Sequence, residues 1–225
     1  MKTLLPLVAI SVLGGSGAAL AQGQGWSYLS GETVGSGANV LEADMGFPGV
    51  GFAFDHGMSE AFDLGAELHL NYGFEGSTAD LLPGLKLQAL IRVRLLKNES
   101  FNLGLRFEPG VMMYFVSGSG LCFGNACYDN AYNLVAFAVP AELNLGIPAS
   151  SAIMLHGTIS VPFMVVIGTG RDSGPVLPIL FGAGAEYFVS KRLAVSFDAR
   201  MGPTVWFNNF AYFTFQAQFG LSYHL

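Results

Sequence analysis

Charge is scarce in this sequence. Asp, Glu, Lys and Arg make up 12% of its 225 residues, and 10 bases face 16 acids, for a formal net charge of −6. So acidic a chain lacks the basic footprint that a nucleic-acid backbone requires, and no nucleic acid is expected as a partner. Cysteine is nearly missing: the 2 present, Cys122 and Cys127, sit in GSGLCFGNACYDN with no histidine nearby, which argues against a thiolate metal centre. Long apolar runs are lacking as well. The best candidate for a membrane helix, Leu143 to Gly170, carries no Asp, Glu, Lys or Arg, but it contains Pro148, Pro162, His156 and several glycines and its apolar residues alternate. A helix there would be broken and wet along one side. No phosphate loop, dinucleotide motif or metal constellation is present, so no cofactor and no metal are expected.

What the chain has is grease and glycine: 52% hydrophobic residues and 30 glycines, with a mean hydropathy of +0.48. Residues 1–21 read as a cleaved signal peptide. Lys2 supplies the positive start, Leu4 to Leu13 an apolar stretch too short to span a bilayer, and Ala19-Leu20-Ala21 a small-x-small cleavage site. Residues 22–37 follow as an N-terminal extension. In the oxidising compartment that export implies, Cys122 and Cys127 are expected to close a small loop as a disulfide.

From residue 38 onward the chain alternates. The C-terminal stretch FTFQAQFGLSYHL has every second residue apolar, from Phe213 to Leu225. The same period of two recurs in about ten segments: Ala38 to Gly46, Val50 to Gly57, Phe62 to Phe74, Gly84 to Lys97, Phe101 to Val116, Tyr132 to Ile147, Ala152 to Ile167, Val176 to Val189, Leu193 to Trp206 and Phe210 to Leu225. An exported hydrophobic chain without a helical span is left with one way to cross lipid, a closed β-barrel, because lipid tolerates no unpaired backbone. The fold class is therefore all-β, a closed antiparallel transmembrane barrel of about ten strands over residues 38–225, with eight or twelve as the neighbouring even counts. GFPG, Gly46 to Gly49, is readable as a tight hairpin or as a kink.

The charges support this reading. Of 26 charged side chains, 14 fall inside the segments and each lies opposite the apolar set, Lys97 being counted with the turn that follows it. Asp63, Glu67, Lys86, Arg92, Arg94, Arg106, Glu108, Glu142, Glu186, Asp198 and Arg200 are thereby expected to form a charge network in the lumen. Aromatics gather at segment ends, Tyr72, Phe74, Tyr114, Phe115, Tyr132, Trp206, Phe207 and Phe210 at one end and Phe62, Phe101 and Tyr223 at the other, as interfacial girdles do. Pro109, Pro140, Pro162, Pro178 and Pro203 fall inside segments, where bulges or strand ends are expected.

The last eight residues, QFGLSYHL, are more specific. Gln218, Gly220, Tyr223 and Leu225 resemble the C-terminal assembly signal of bacterial outer-membrane proteins, although that family usually ends in Phe. ANVLEADMGFPG and FDLGAELHLNYG also look like stretches of small outer-membrane barrels. The resemblance implies a location in the bacterial outer membrane, contact with its lipid and recognition by its assembly machinery. A monomer is expected.

Three functions follow in order. The first is a non-enzymatic barrel with a structural or surface-interaction role, its narrow lumen plugged by paired charges. The second is a narrow cation-preferring channel, since strand acids outnumber bases nine to five when Glu42, Asp44 and Asp55 are included. The third is an enzyme acting on lipid or peptide, for which the candidates are His69 with Asp80, and His156 with Thr158 and Ser160; their bland alternative is lumenal polar packing.

Overall fold

The computed structural model describes residues 25–75, 82–116, 121–123, 126–128, 132–168, 173–206 and 210–225. The expected signal peptide lies outside them. Among the described residues the elements are all strands: β1 (Asn39–Phe47), β2 (Gly49–Ser59), β3 (Phe62–Asn71), β4 (Gly84–Lys97), β5 (Asn102–Phe107), β6 (Gly110–Val116), β7 (Leu121–Phe123), β8 (Ala126–Tyr128), β9 (Tyr132–Pro148), β10 (Ile153–Ile167), β11 (Gly174–Pro178), β12 (Leu180–Phe188), β13 (Leu193–Trp206) and β14 (Phe210–His224).

β5 with β6, and β11 with β12, are halves of single interrupted strands, and β7 pairs only with β8, so the wall has ten staves. Neighbours pair antiparallel in chain order, and β1 returns to β14 from Val40↔His224 to Phe47↔Ala217. That last pairing closes the sheet into a barrel and leaves it no edge. GFPG is a hairpin, with Met45 opposite Val50 across a cis Phe47–Pro48 bond. One end of the barrel carries the short turns and both ends of the barrel sequence. The other carries the GFPG hairpin, the link over 207–209 and the three longer connections.

The five prolines lie at one level. Pro140 and Pro162 are register partners, the Glu108 N–H donates to the Pro140 carbonyl beside the break at Pro109, and the Ile179 N–H donates to the Pro203 carbonyl beside the break at Pro178. Lost ladder donors are thus concentrated around the two interruptions, and elsewhere the register shifts between Gly57 and Ser59 and between Arg94 and Leu96.

Period two decides which face is which. Met45, Phe52, Leu87, Phe213 and Phe219 are each more than half exposed on the outside, while Glu42, Asp55, Glu67 and Arg92 on the opposite parity are buried inside. Such a continuous apolar exterior would aggregate in water and suits lipid.

Candidate functional site: a lumen closed at both ends

The lumen holds three layers, and the first is made by residues that the alternation did not include. Residues 25–37 dip into the barrel from the short-turn end and come back out. Trp26 stacks edge-on against Phe188, with centroids 5.4 Å apart, and its indole N–H donates to the Lys191 carbonyl at 3.1 Å. Deeper in, the Ser27 hydroxyl donates to Glu186, and the Tyr28 N–H donates to the same carboxylate at 2.9 Å. The guanidinium groups of Arg92 and Arg106 both lie over the Tyr28 ring, 5.4 and 5.1 Å from its centroid. Burial pushes the Tyr28 phenol well above its ordinary pKa, so it stays protonated.

Arg92 ties this loop to the wall. Its guanidinium donates to the carbonyls of Ser27, at 2.7 Å, and Glu32, and pairs with Asp55 and Asp63 at 3.1 and 3.5 Å. Glu32 takes Arg94 and, at 2.6 Å, Lys97. On the way out the Val34 N–H donates to Asp63 at 2.9 Å, and His224 bonds the Val34 carbonyl at 3.0 Å. Gly35 and Gly37, at φ +95° and +73°, then reverse the chain into β1, a conformation that side chains rarely adopt.

The middle layer is ionic. Glu67 accepts from His69 at 2.6 Å, Arg106 at 3.0 Å and Lys86 at 3.4 Å, and Lys86 also reaches Glu75 at 3.0 Å. Arg106 pairs with Glu108, and Arg200 with both Glu142 and Asp198. His156 donates to Asp198 at 2.8 Å. A cavity of about 80 Å³ remains between these groups, with Tyr28 and Leu29 of the loop at its boundary.

The third layer, at the long-loop end, is an apolar stopper. Phe74, Leu82, Met112, Tyr114, Leu134, Met164, Val166 and Val176 are buried together, with Trp206 against them. Phe74 meets Tyr114 edge-on at 5.2 Å.

All eleven candidate lumen charges therefore face inward, and each has a partner in one of these layers. The girdle expectation is corrected for Phe74, Tyr114 and Trp206. Tyr114 shares the parity of Met112, which is the register partner of lumenal Lys86, so it points inward, whereas Tyr72 and Phe115 stay outside. The side chains of Tyr132, Phe207 and Phe210 lie outside the described residues, as does Asp80. Among the hydroxyls near His156, Thr158 donates to Asn144 at 2.7 Å and Ser160 to Glu142 at 3.1 Å, so neither is held by the histidine. His69 is turned to Glu67, its lumenal neighbour.

Cys122 and Cys127 are register partners in the β7–β8 hairpin; their side chains lie outside the described residues. In the C-terminal motif, Gln218 donates to Asp44 at 2.9 Å across the β14–β1 closure, and Gly220 faces Asp44 in the register. Tyr223 and Leu225 are exposed on the outer face. Sequence reading missed Trp26, Ser27, Tyr28, Glu32 and Glu75. The aromatic pair within a short glycine-rich extension was the one signal available for the loop.

The wall, lipid-facing outside and ionic inside, decides the fold. It is an outer-membrane β-barrel fold. No protein-family model matches the chain, and no curated protein matches it. Among solved structures, the outer membrane protease OmpT from Escherichia coli aligns at TM-score 0.48 and 12% identity, covering 84% of this chain and 93% of that one. The KdgM porin aligns at TM-score 0.37 and 10% identity, covering 83% and 98%.

Proposed function

We propose that this chain is a non-enzymatic, monomeric barrel of the bacterial outer membrane, closed to ions, that serves the envelope structurally or presents its long-end loops to a partner. Its export would rest on residues 1–21, and its insertion on the outer-membrane assembly machinery reading Gln218, Gly220, Tyr223 and Leu225. The observation that carries the reading is the loop of residues 26–34, bonded inside the lumen beneath the ionic layer. A permanent pore has no use for a segment held by so many buried contacts.

A second reading, a narrow cation-preferring channel that opens when the loop leaves, is favoured by one feature. Carboxylates outnumber Lys and Arg around the central cavity. Single-channel recording on the refolded full-length chain in a planar bilayer separates the two, with heat-modifiable gel mobility as the control for a folded barrel. Silence is expected. Steady cation-selective steps from the intact chain would promote the channel.

A further inference from the structure

The central cavity has an imbalance that its ion pairs leave standing. Seven of its lining side chains are carboxylates, against Lys86, Arg106 and Arg200, with His69 beside them. Six of the seven pair with one of these bases or with His156. Glu42 is the seventh. It projects from β1 into the cavity, is only 7% exposed, forms no ion pair among the described residues, and leaves Oε2 without a hydrogen-bond partner. Glu142, also lining the cavity and 3% exposed, leaves its own Oε2 unpartnered.

The space beside Glu42 depends on a glycine. A side-chain carbon on Gly220 would lie 2.8 Å from Glu42 Oε1 and would strike the Ser196 hydroxyl. Its absence leaves a gap lined by a carboxylate and a hydroxyl, with Gln216 and Gln218 on the same cavity wall. Glu42, Ser196, Gln216 and Gln218 offer oxygen donors on this wall, which suits a hard cation, with Arg200 as the register partner of Gln216. No three His, Cys, Asp or Glu side chains of the described residues converge tightly enough to cage a bare metal ion. A cavity of about 80 Å³ has room for an ion together with water.

We infer that the cavity binds a partly hydrated alkali-metal cation at Glu42, next to Gly220 and Ser196. A buried carboxylate with no partner is costly, and either a positive ion or a proton must relieve it. The gap and its oxygen lining favour the ion. The site stands on the cavity alone and holds for a structural barrel or a channel.

The test uses the refolded full-length chain in detergent, melted at constant ionic strength in choline chloride, whose cation is too large for the gap, and in sodium, potassium or rubidium chloride. The wild type is expected to melt several degrees higher in an alkali salt, and Glu42→Gln to lose that response. Equal midpoints in choline and alkali salts, or the same response in Glu42→Gln, would overturn the site. A response to calcium without one to alkali ions would overturn the monovalent assignment. Should Glu42→Gln fail to refold, anomalous scattering from wild-type crystals grown in rubidium decides: a peak beside Glu42 is expected, and a cavity holding only water overturns the inference. An infrared carboxylic-acid band that persists in alkali salt and vanishes in Glu42→Gln would place a proton there instead.

Discussion

Gly31 of the inserted loop lies backbone to backbone against Gly104 of the wall. A side-chain carbon on Gly104 would sit 2.6 Å from the Gly31 carbonyl oxygen, and one on Gly31 would strike the Gly104 amide. Two glycines, one in an extension and one in a strand, thus let the loop reach the depth at which Tyr28 meets Arg92 and Arg106.

Gly104→Val should therefore dislodge the loop and spare the barrel. Overpacking of this kind costs about 1–3 kcal/mol, enough to shift a short docked segment. Limited proteolysis of the folded, gel-shifted protein should release the N-terminal segment from the variant and leave it intact in the wild type. Equal resistance in both would refute the close packing.

Arg92 is the most heavily used base in the first layer. Arg92→Gln leaves Asp55 and Asp63 buried without their cation and frees two loop carbonyls, a loss of about 3–5 kcal/mol for a broken buried pair. Arg94→Gln should cost under about 1 kcal/mol, since Arg94 is nearer the rim and Glu32 keeps Lys97 at 2.6 Å. Urea unfolding of the two variants, followed by the mobility shift, checks the order. Equal losses would contradict it.

Cys122 and Cys127 face each other across β7 and β8 as register partners. Directly opposed strand residues have Cα atoms about 4.5–5.5 Å apart, within disulfide range. If the chain is exported as proposed, then without reductant neither cysteine should take up an alkylating agent, and after reduction both should, as mass spectrometry would read. Because this hairpin pairs with no wall strand among the described residues, changing both to serine should leave barrel melting within about 0.5 kcal/mol.

The two closures act in series. Deleting residues 26–34 should leave the barrel silent in a planar bilayer, because the stopper around Phe74 and Tyr114 persists. Combining the deletion with Phe74→Ala and Tyr114→Ala should produce steps. Conductance from the deletion alone would mean that the stopper does not seal.

The wall was legible because one greasy face and one wet face impose a period of two that little else imitates, and Lys86, Arg92 and Asp198 declared the inside by their charge. Strand number followed from the turns. Breaks at Pro109 and Pro178 were signalled by the missing donors, but their alignment with Pro140, Pro162 and Pro203 is a property of register, which one strand's sequence does not carry. Tyr114 was misread because aromatics at strand ends suggest a girdle, whereas its parity with Met112 puts it inside. The loop was hidden for a different reason. Trp26, Tyr28 and Glu32 have no periodicity, and their partners, Lys191, Arg106 and Lys97, are distant in sequence.

The most direct test of a lumen filled by its own N-terminal loop is the environment of Trp26. The chain has 2 tryptophans, so Trp206→Phe leaves Trp26 as the sole reporter. In the folded, gel-shifted barrel its emission should be blue-shifted and shielded from acrylamide, in keeping with a side chain only 3% exposed. Red-shifted emission, quenched as freely as in the urea-unfolded chain while the barrel remains folded, would show that the loop lies outside the lumen and would contradict the account.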